Sequence, residues 1–157
     1  MDRLILLIAT GCYSGMIPKA PGTWGSLFAL LPWYFCRDLS LPVYLSVLAG
    51  LFVVGFLTAG GAEKLMDRPD PGCVVIDEIL GVFITLTLAP THPVAWIIGF
   101  VLFRFFDILK PFPIGWLDKH LHGGIGIMID DVVAGFYALI CLQLFWQVAG
   151  NFFLSAL

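Results

Sequence analysis

The chain is predicted to be all-α, an integral membrane helical bundle with about four to five membrane-embedded helices. Three observations carry that expectation. Only 12% of the 157 residues are charged and 60% are hydrophobic, and the mean hydropathy is +0.98. A soluble domain carries about 25% charged residues, so this chain has too little polar material to face water on every side. Residues 39–62, 79–103 and 132–157 contain no Asp, Glu, Lys or Arg, and each run exceeds the ~20 residues a helix needs to cross a bilayer. Prolines and glycines then cut the rest into helix-sized pieces, since both residues interrupt helices for steric reasons.

Taken in order, a short apolar piece spans 4–10. Its core is too short for a secretory signal, and Ala9 stands where a lipoprotein signal before Cys12 would need Leu, so no cleaved leader is expected. The 4–16 segment suits either a crossing or a surface-lying helix. "IPKAPGTWGS" (17–26) precedes a helix at about 25–36, and "RDLSLP" (37–42) separates it from a helix at 42–65. "MDRPDPGC" (66–73) comes before a helix at 75–89. "APTHP" (89–93) then folds the 79–103 stretch into a hairpin whose second arm is 93–109. "KPFPIGWLDKHLHGGIG" (110–126) leads to a last helix at 129–150. Residues 1–157 read as one domain. Cys12, Cys36, Cys73 and Cys141 lack metal-ligand spacing and are expected to be free.

Alternating these spans puts the loops around 17–24, 66–74 and 110–129 on one side, with "RDLSLP", "APTHP" and the C-terminus on the other. The first side collects Lys19, Lys64, Arg68, Arg104, Lys110 and Lys119, against Arg37 alone. The positive-inside tendency makes the first side cytoplasmic.

Five carboxylates converge there: Asp77, Glu78, Asp107, Asp130 and Asp131. Ionisable groups at membrane depth cost several kcal/mol unless paired or hydrated, and they are functional candidates by default. Arg104, Asp107 and Lys110 are spaced to share one helix face. The adjacent Asp77 and Glu78 diverge by about 100°, so one of them is expected to point at the common centre. Carboxylates without His or Cys suit a hard cation such as Mg²⁺. Bases beside them, Arg104, Lys110 and Lys19, suit a phosphate-bearing substrate. "APGTWGS" (20–26) offers an anion cradle, with Thr23 and Ser26 hydroxyls at a helix start. Each piece also has a structural alternative. Asp130–Asp131 suits the opening of a helix, Arg104–Asp107 suits an ion pair within the bundle, and Lys64, Arg68 and Lys119 suit lipid-headgroup anchors.

Several phosphoryl-transfer signatures are missing: no Cys-x₅-Arg, no D-x-D and no Gly-rich GK[ST] loop. Four stretches, "PKAPGTWGSL" (18–27), "VIDEILGVFITL" (75–86), "FRFFDILKPFPI" (103–114) and "HGGIGIMIDDVVAG" (122–135), are similar to those of the phosphatidylglycerophosphatase A family, in the same order. The resemblance implies a Mg²⁺-dependent lipid phosphatase of the bacterial inner membrane, multi-pass with its site facing the cytoplasm. It would convert phosphatidylglycerophosphate to phosphatidylglycerol and phosphate. On that reading Glu78, Asp107, Asp130 and Asp131 supply most metal ligands and Asp77 serves as ligand or base. Lys19, Arg104 and Lys110 stabilise phosphoryl charge, with Thr23 and Ser26 near the phosphate. Water activated by one carboxylate, or an aspartyl-phosphate, would carry the hydrolysis. No nucleic-acid partner is expected. The competing class is a small transporter or channel, whose charges would be spread across membrane depth; here they gather on one side.

Overall fold

The computed structural model describes residues 2–155, with side chains through Ala149. The C-terminus, assigned above to the less charged side, lies outside the described residues. These residues form seven α-helices and no strand: α1 (Asp2–Ala9), α2 (Pro21–Cys36), α3 (Leu41–Met66), α4 (Ile76–Thr85), α5 (Pro93–Leu109), α6 (Ile114–His120) and α7 (Gly123–Ser155), with a 3-10 turn at Ser14–Met16. Proline opens α2, α3 and α5, where its missing N–H falls among donors that have no helical partner anyway.

The short α4 is the axis of the bundle. Nine of its ten residues are buried, so every face of it is covered, and α7, α2, α3 and α5 pack around it. Two glycines let it approach α7 almost backbone to backbone. A Cβ at Gly81 would strike the Phe103 ring and approach the Asp131 carbonyl, and one at Gly135 would lie 2.8 Å from the Gly81 carbonyl oxygen. Gly99 faces Thr85 and Leu86, Phe103 covers Gly81, and Arg104 reaches Glu78. These pairs run in opposite directions along the two helices, so α4 and α5 form the hairpin expected around "APTHP". The α2, α4 and α7 N-termini meet the α3 and α5 C-termini at one end of the bundle. At the other end Tyr44 donates to the Phe83 carbonyl at 2.6 Å, and Gln143 donates to the Thr87 carbonyl at 3.0 Å.

Two helices are long and apolar enough to cross a membrane, α3 and α7 through Ala149. At 1.5 Å per residue, the 16, 10 and 17 residues of α2, α4 and α5 reach only about 24, 15 and 26 Å, short of the ~30 Å hydrocarbon core.

α4 ends at Thr85, short of the expected 89, and three further boundaries differ from expectation. The second helix starts at Pro21, not 25, so Thr23 and Ser26 lie inside its first turns. The last helix starts at Gly123, not 129, which places Asp130 and Asp131 two turns inside it. Segment 110–126, expected as a break, contains α6. In these three cases residues read as helix breakers sit at a helix N-terminus, where they are tolerated.

Candidate active site

Loop 67–75 between α3 and α4 is tied down from both sides. The Val75 N–H donates to the Ala9 carbonyl at 2.8 Å, and the Val74 N–H closes a turn onto the Pro71 carbonyl at 2.8 Å. The Asp70 N–H donates to Glu63 Oε1 at 3.0 Å. Beneath this loop, at the end where five helix termini meet, lies a cavity of about 320 Å³ lined by eight carboxylates: Glu63, Asp70, Asp77, Glu78, Asp107, Asp118, Asp130 and Asp131. Lys110 and His122 are the only other titratable residues in its lining. All five predicted carboxylates are there, and both Asp77 and Glu78 line the cavity, where one had been expected. The cavity wraps around the first turn of α4, so a 100° divergence still leaves both on its wall.

Within it, Asp77, Glu78 and Asp131 each bring one carboxylate oxygen within 4.8 Å of the others. Asp131 is 3% exposed and Asp130 7%. Asp77 Oδ1 and Glu78 Oε2 are buried and accept no hydrogen bond. Buried oxygens without donors are costly, and neighbouring carboxylates repel one another. A hard cation answers both problems at once, because it takes several carboxylate oxygens as ligands. The residues present therefore fit Mg²⁺.

The two cations of the predicted α5 stripe part company. Arg104 Nη1 bonds Asp107 Oδ2 at 2.5 Å, lies 3.9 Å from Glu78 Oε1 and donates to Ser26 Oγ at 3.3 Å. It is not in the cavity lining and stands behind two carboxylates that are. Gly22 makes room for this group, since a Cβ there would collide with Glu78 Oε1 and crowd the Arg104 guanidinium. Lys110 ends α5 in the left-handed conformation, φ 42°, which turns it off the stripe. Its Nζ bonds Asp118 Oδ1 at 2.6 Å and Asp130 Oδ2 at 2.7 Å. Burial pulls the Lys110 pKa down, but those two hydrogen bonds outweigh it and leave the ammonium above the usual lysine value.

The remaining predicted residues sit elsewhere. Ser26 is fully buried and donates to the Gly22 carbonyl at 2.7 Å, so its hydroxyl faces Arg104 and its own helix. Thr23 and Lys19 line no part of the cavity, and Lys19 is exposed. Sequence reasoning missed Glu63, Asp70 and Asp118. Glu63 could have been found as the single carboxylate of an apolar 26-residue helix. Asp118 lay in a segment read as a break, so it had no helix face to be assigned to.

The sequence profile of the family described as phosphatidylglycerophosphatase A matches residues 7–146. A phosphatidylglycerophosphatase A of Escherichia coli strain K12 is 44% identical over 82% of this chain and 76% of its own length. One of Haemophilus influenzae is 46% identical over 87% and 85%. A Bacteroides thetaiotaomicron protein, provisionally named phosphatidylinositol-3-phosphatase, is 40% identical over 94% and 96%. No solved structure matches the chain. The matched segment contains all eight carboxylates of the cavity together with Lys110 and Arg104, and the chain belongs to the phosphatidylglycerophosphatase A family.

Proposed function

We propose that this protein is a Mg²⁺-dependent phosphatase that removes the terminal phosphate of phosphatidylglycerophosphate, acting as one membrane-embedded domain. The observation that carries the reading is the trio Asp77, Glu78 and Asp131, which brings one carboxylate oxygen from each within 4.8 Å of the others, while Asp77 Oδ1 and Glu78 Oε2 have no donor. The names of the Escherichia coli and Haemophilus influenzae relatives support the lipid substrate.

Asp77, Glu78 and Asp131 would hold the cation, with Asp107 and Asp130 beside them. When bound, the cation would offset the carboxylate charge that otherwise repels a phosphate, and would polarise the phosphoryl oxygens. Lys110, held by Asp118 and Asp130, places its ammonium in the cavity wall, where it binds a phosphoryl oxygen as a point charge. Arg104 acts from behind, fixing Asp107 and Glu78 in place. One cavity carboxylate takes the proton of the attacking water as general base. The cavity faces the cytoplasm of a bacterial inner membrane, with α2, α4 and α5 embedded beside α3 and α7. The concentration of Lys and Arg at the cavity end supports that orientation.

Phosphate release from phosphatidylglycerophosphate by detergent-purified protein, with Mg²⁺ or with chelator, tests the reading. Release is expected with Mg²⁺ and not with chelator. Unchanged turnover in both Asp107→Asn and Asp131→Asn, in folded protein, overturns it.

A further inference from the structure

Loop 67–75 has a second side. Its outer face, with the 3-10 turn and the start of α2, encloses a separate, more open cavity of about 570 Å³. Met16, Ile17, Pro18, Met66 and Arg68 are among its walls, and no carboxylate is. Gly15 packs so closely on the Cys73 carbonyl that a Cβ there would collide, so the turn and the loop hold this cavity open together. Arg68 is in no ion pair among the described residues, whereas every charged partner within 4 Å of Arg104 and Lys110 is a carboxylate.

The two cavities share one lining residue, Gly72. A Cβ at Gly72 would meet nothing within 4 Å, so no other group crowds the one residue that both linings share. One side of this sill is crowded with carboxylates. The other offers a single cation on apolar walls.

From this juxtaposition, and resting on the function proposed above, we propose that the second cavity is the subsite for the phosphodiester of the lipid substrate. Arg68 is its anion ligand and Gly72 the sill across which the glycerol linker passes. The substrate carries two phosphates of different kind. The terminal monoester goes to the cation-loaded carboxylates. The diester keeps its negative charge through the reaction and is repelled by those same carboxylates. Across Gly72 it would meet Arg68, and Met16, Ile17 and Met66 give the start of the acyl glycerol an apolar surface. Guanidinium to phosphate is a strong, charge-assisted contact. Arg68 binds substrate and leaves the phosphorus under attack untouched, so it contributes to KM and not to kcat.

The test uses full-length protein in neutral detergent micelles, where the substrate is the only phosphodiester present. Arg68→Gln is expected to raise KM for phosphatidylglycerophosphate about tenfold with kcat nearly unchanged. Its inhibition by inorganic phosphate, which reads the monoester cavity alone, should match wild type, and Arg68→Lys should recover part of the loss. Lys64→Gln, at an exposed charge in the last turn of α3, four residues before Arg68 and lining neither cavity, is expected to stay within twofold. Gly72→Leu builds a side chain into the open sill and is expected to raise KM without lowering the melting temperature. An unchanged KM in Arg68→Gln overturns the proposal. So does an equal loss in Lys64→Gln, which would mean general surface attraction, or a matching loss of phosphate inhibition. An Arg68 effect confined to vesicles of anionic lipid also overturns it, because the cation would then serve a bystander headgroup. Absence of turnover in the wild type instead strikes the phosphatase reading itself.

Discussion

Arg104 and Arg37 stand at opposite ends of the same bundle and are held in opposite ways. Arg104 is surrounded by oxygens, with Asp107, Glu78 and Ser26 around one nitrogen, and its Nε is buried without a partner. Arg37 is surrounded by rings. Its guanidinium lies 4.1 Å from the Tyr34 ring centre and 5.3 Å from that of Trp96, and Trp96 meets Trp33 edge-on at 5.3 Å. Its one carboxylate neighbour, Asp38, is largely exposed. The ring contacts accept a range of geometries and suit an interfacial anchor. The oxygen contacts fix directions and suit a site whose carboxylates must keep their aim. One end is built to accept several geometries and the other to hold atoms.

On that contrast, substitutions at the acidic end should cripple turnover while the fold survives. Glu78→Gln or Asp131→Asn is expected to lower kcat on the order of a thousandfold, since in the function proposed above each removes a ligand of the cation and forfeits several kcal/mol of charge stabilisation. Phosphate-release kinetics and thermal melting of the same preparation check it. A variant with near-normal kcat would break the comparison. Arg104→Lys keeps the charge but not the fork, and is expected to cost roughly 10- to 100-fold in kcat, because the carboxylates it orients lose their fixed direction. Its Mg²⁺ activation curve should shift to higher concentration, which a purely structural role would not produce. Asp118→Asn removes one of the two anchors of Lys110. Both partners are more than a quarter exposed, so a loss below about tenfold in kcat/KM is expected. Arg37→Ala, at the other end, should leave kcat and KM unchanged and lower the melting temperature by about 2–4 °C, the scale of a partly exposed ring contact worth about 1 kcal/mol.

The aromatic end and the acidic end were not equally legible in the sequence. The long apolar helices, the "APTHP" hairpin and the convergence of Asp77, Glu78, Asp107, Asp130 and Asp131 follow from hydropathy and break positions, because span alternation brings the charged loops to one end whatever the packing. Lengths were less readable. Pro21 and Gly123 look like breakers and act as helix starts, so α2 and α7 extend further than expected. The division of labour between Arg104 and Lys110 depends on a single left-handed residue at the end of α5, which no periodicity encodes. Asp70 and Asp118 reach the cavity through a loop and a seven-residue helix whose paths only the packed structure sets, while Glu63 reaches it from the last turn of α3.

One consequence follows from α7. It carries Asp131 in the cavity wall and continues as unbroken helix through Ala149, 18 residues or about 27 Å further on. The carboxylates and the hydrophobic length below them are therefore one rigid rod. In the membrane-embedded arrangement proposed above, its fit to bilayer thickness would set how far the cavity mouth stands from the headgroup plane, and a mismatch would be relieved by tilt or by local thinning of the lipid. Turnover should thus depend on the acyl length of the host bilayer even when the substrate is the same, with one thickness at which the mouth and the phosphate meet at the same level.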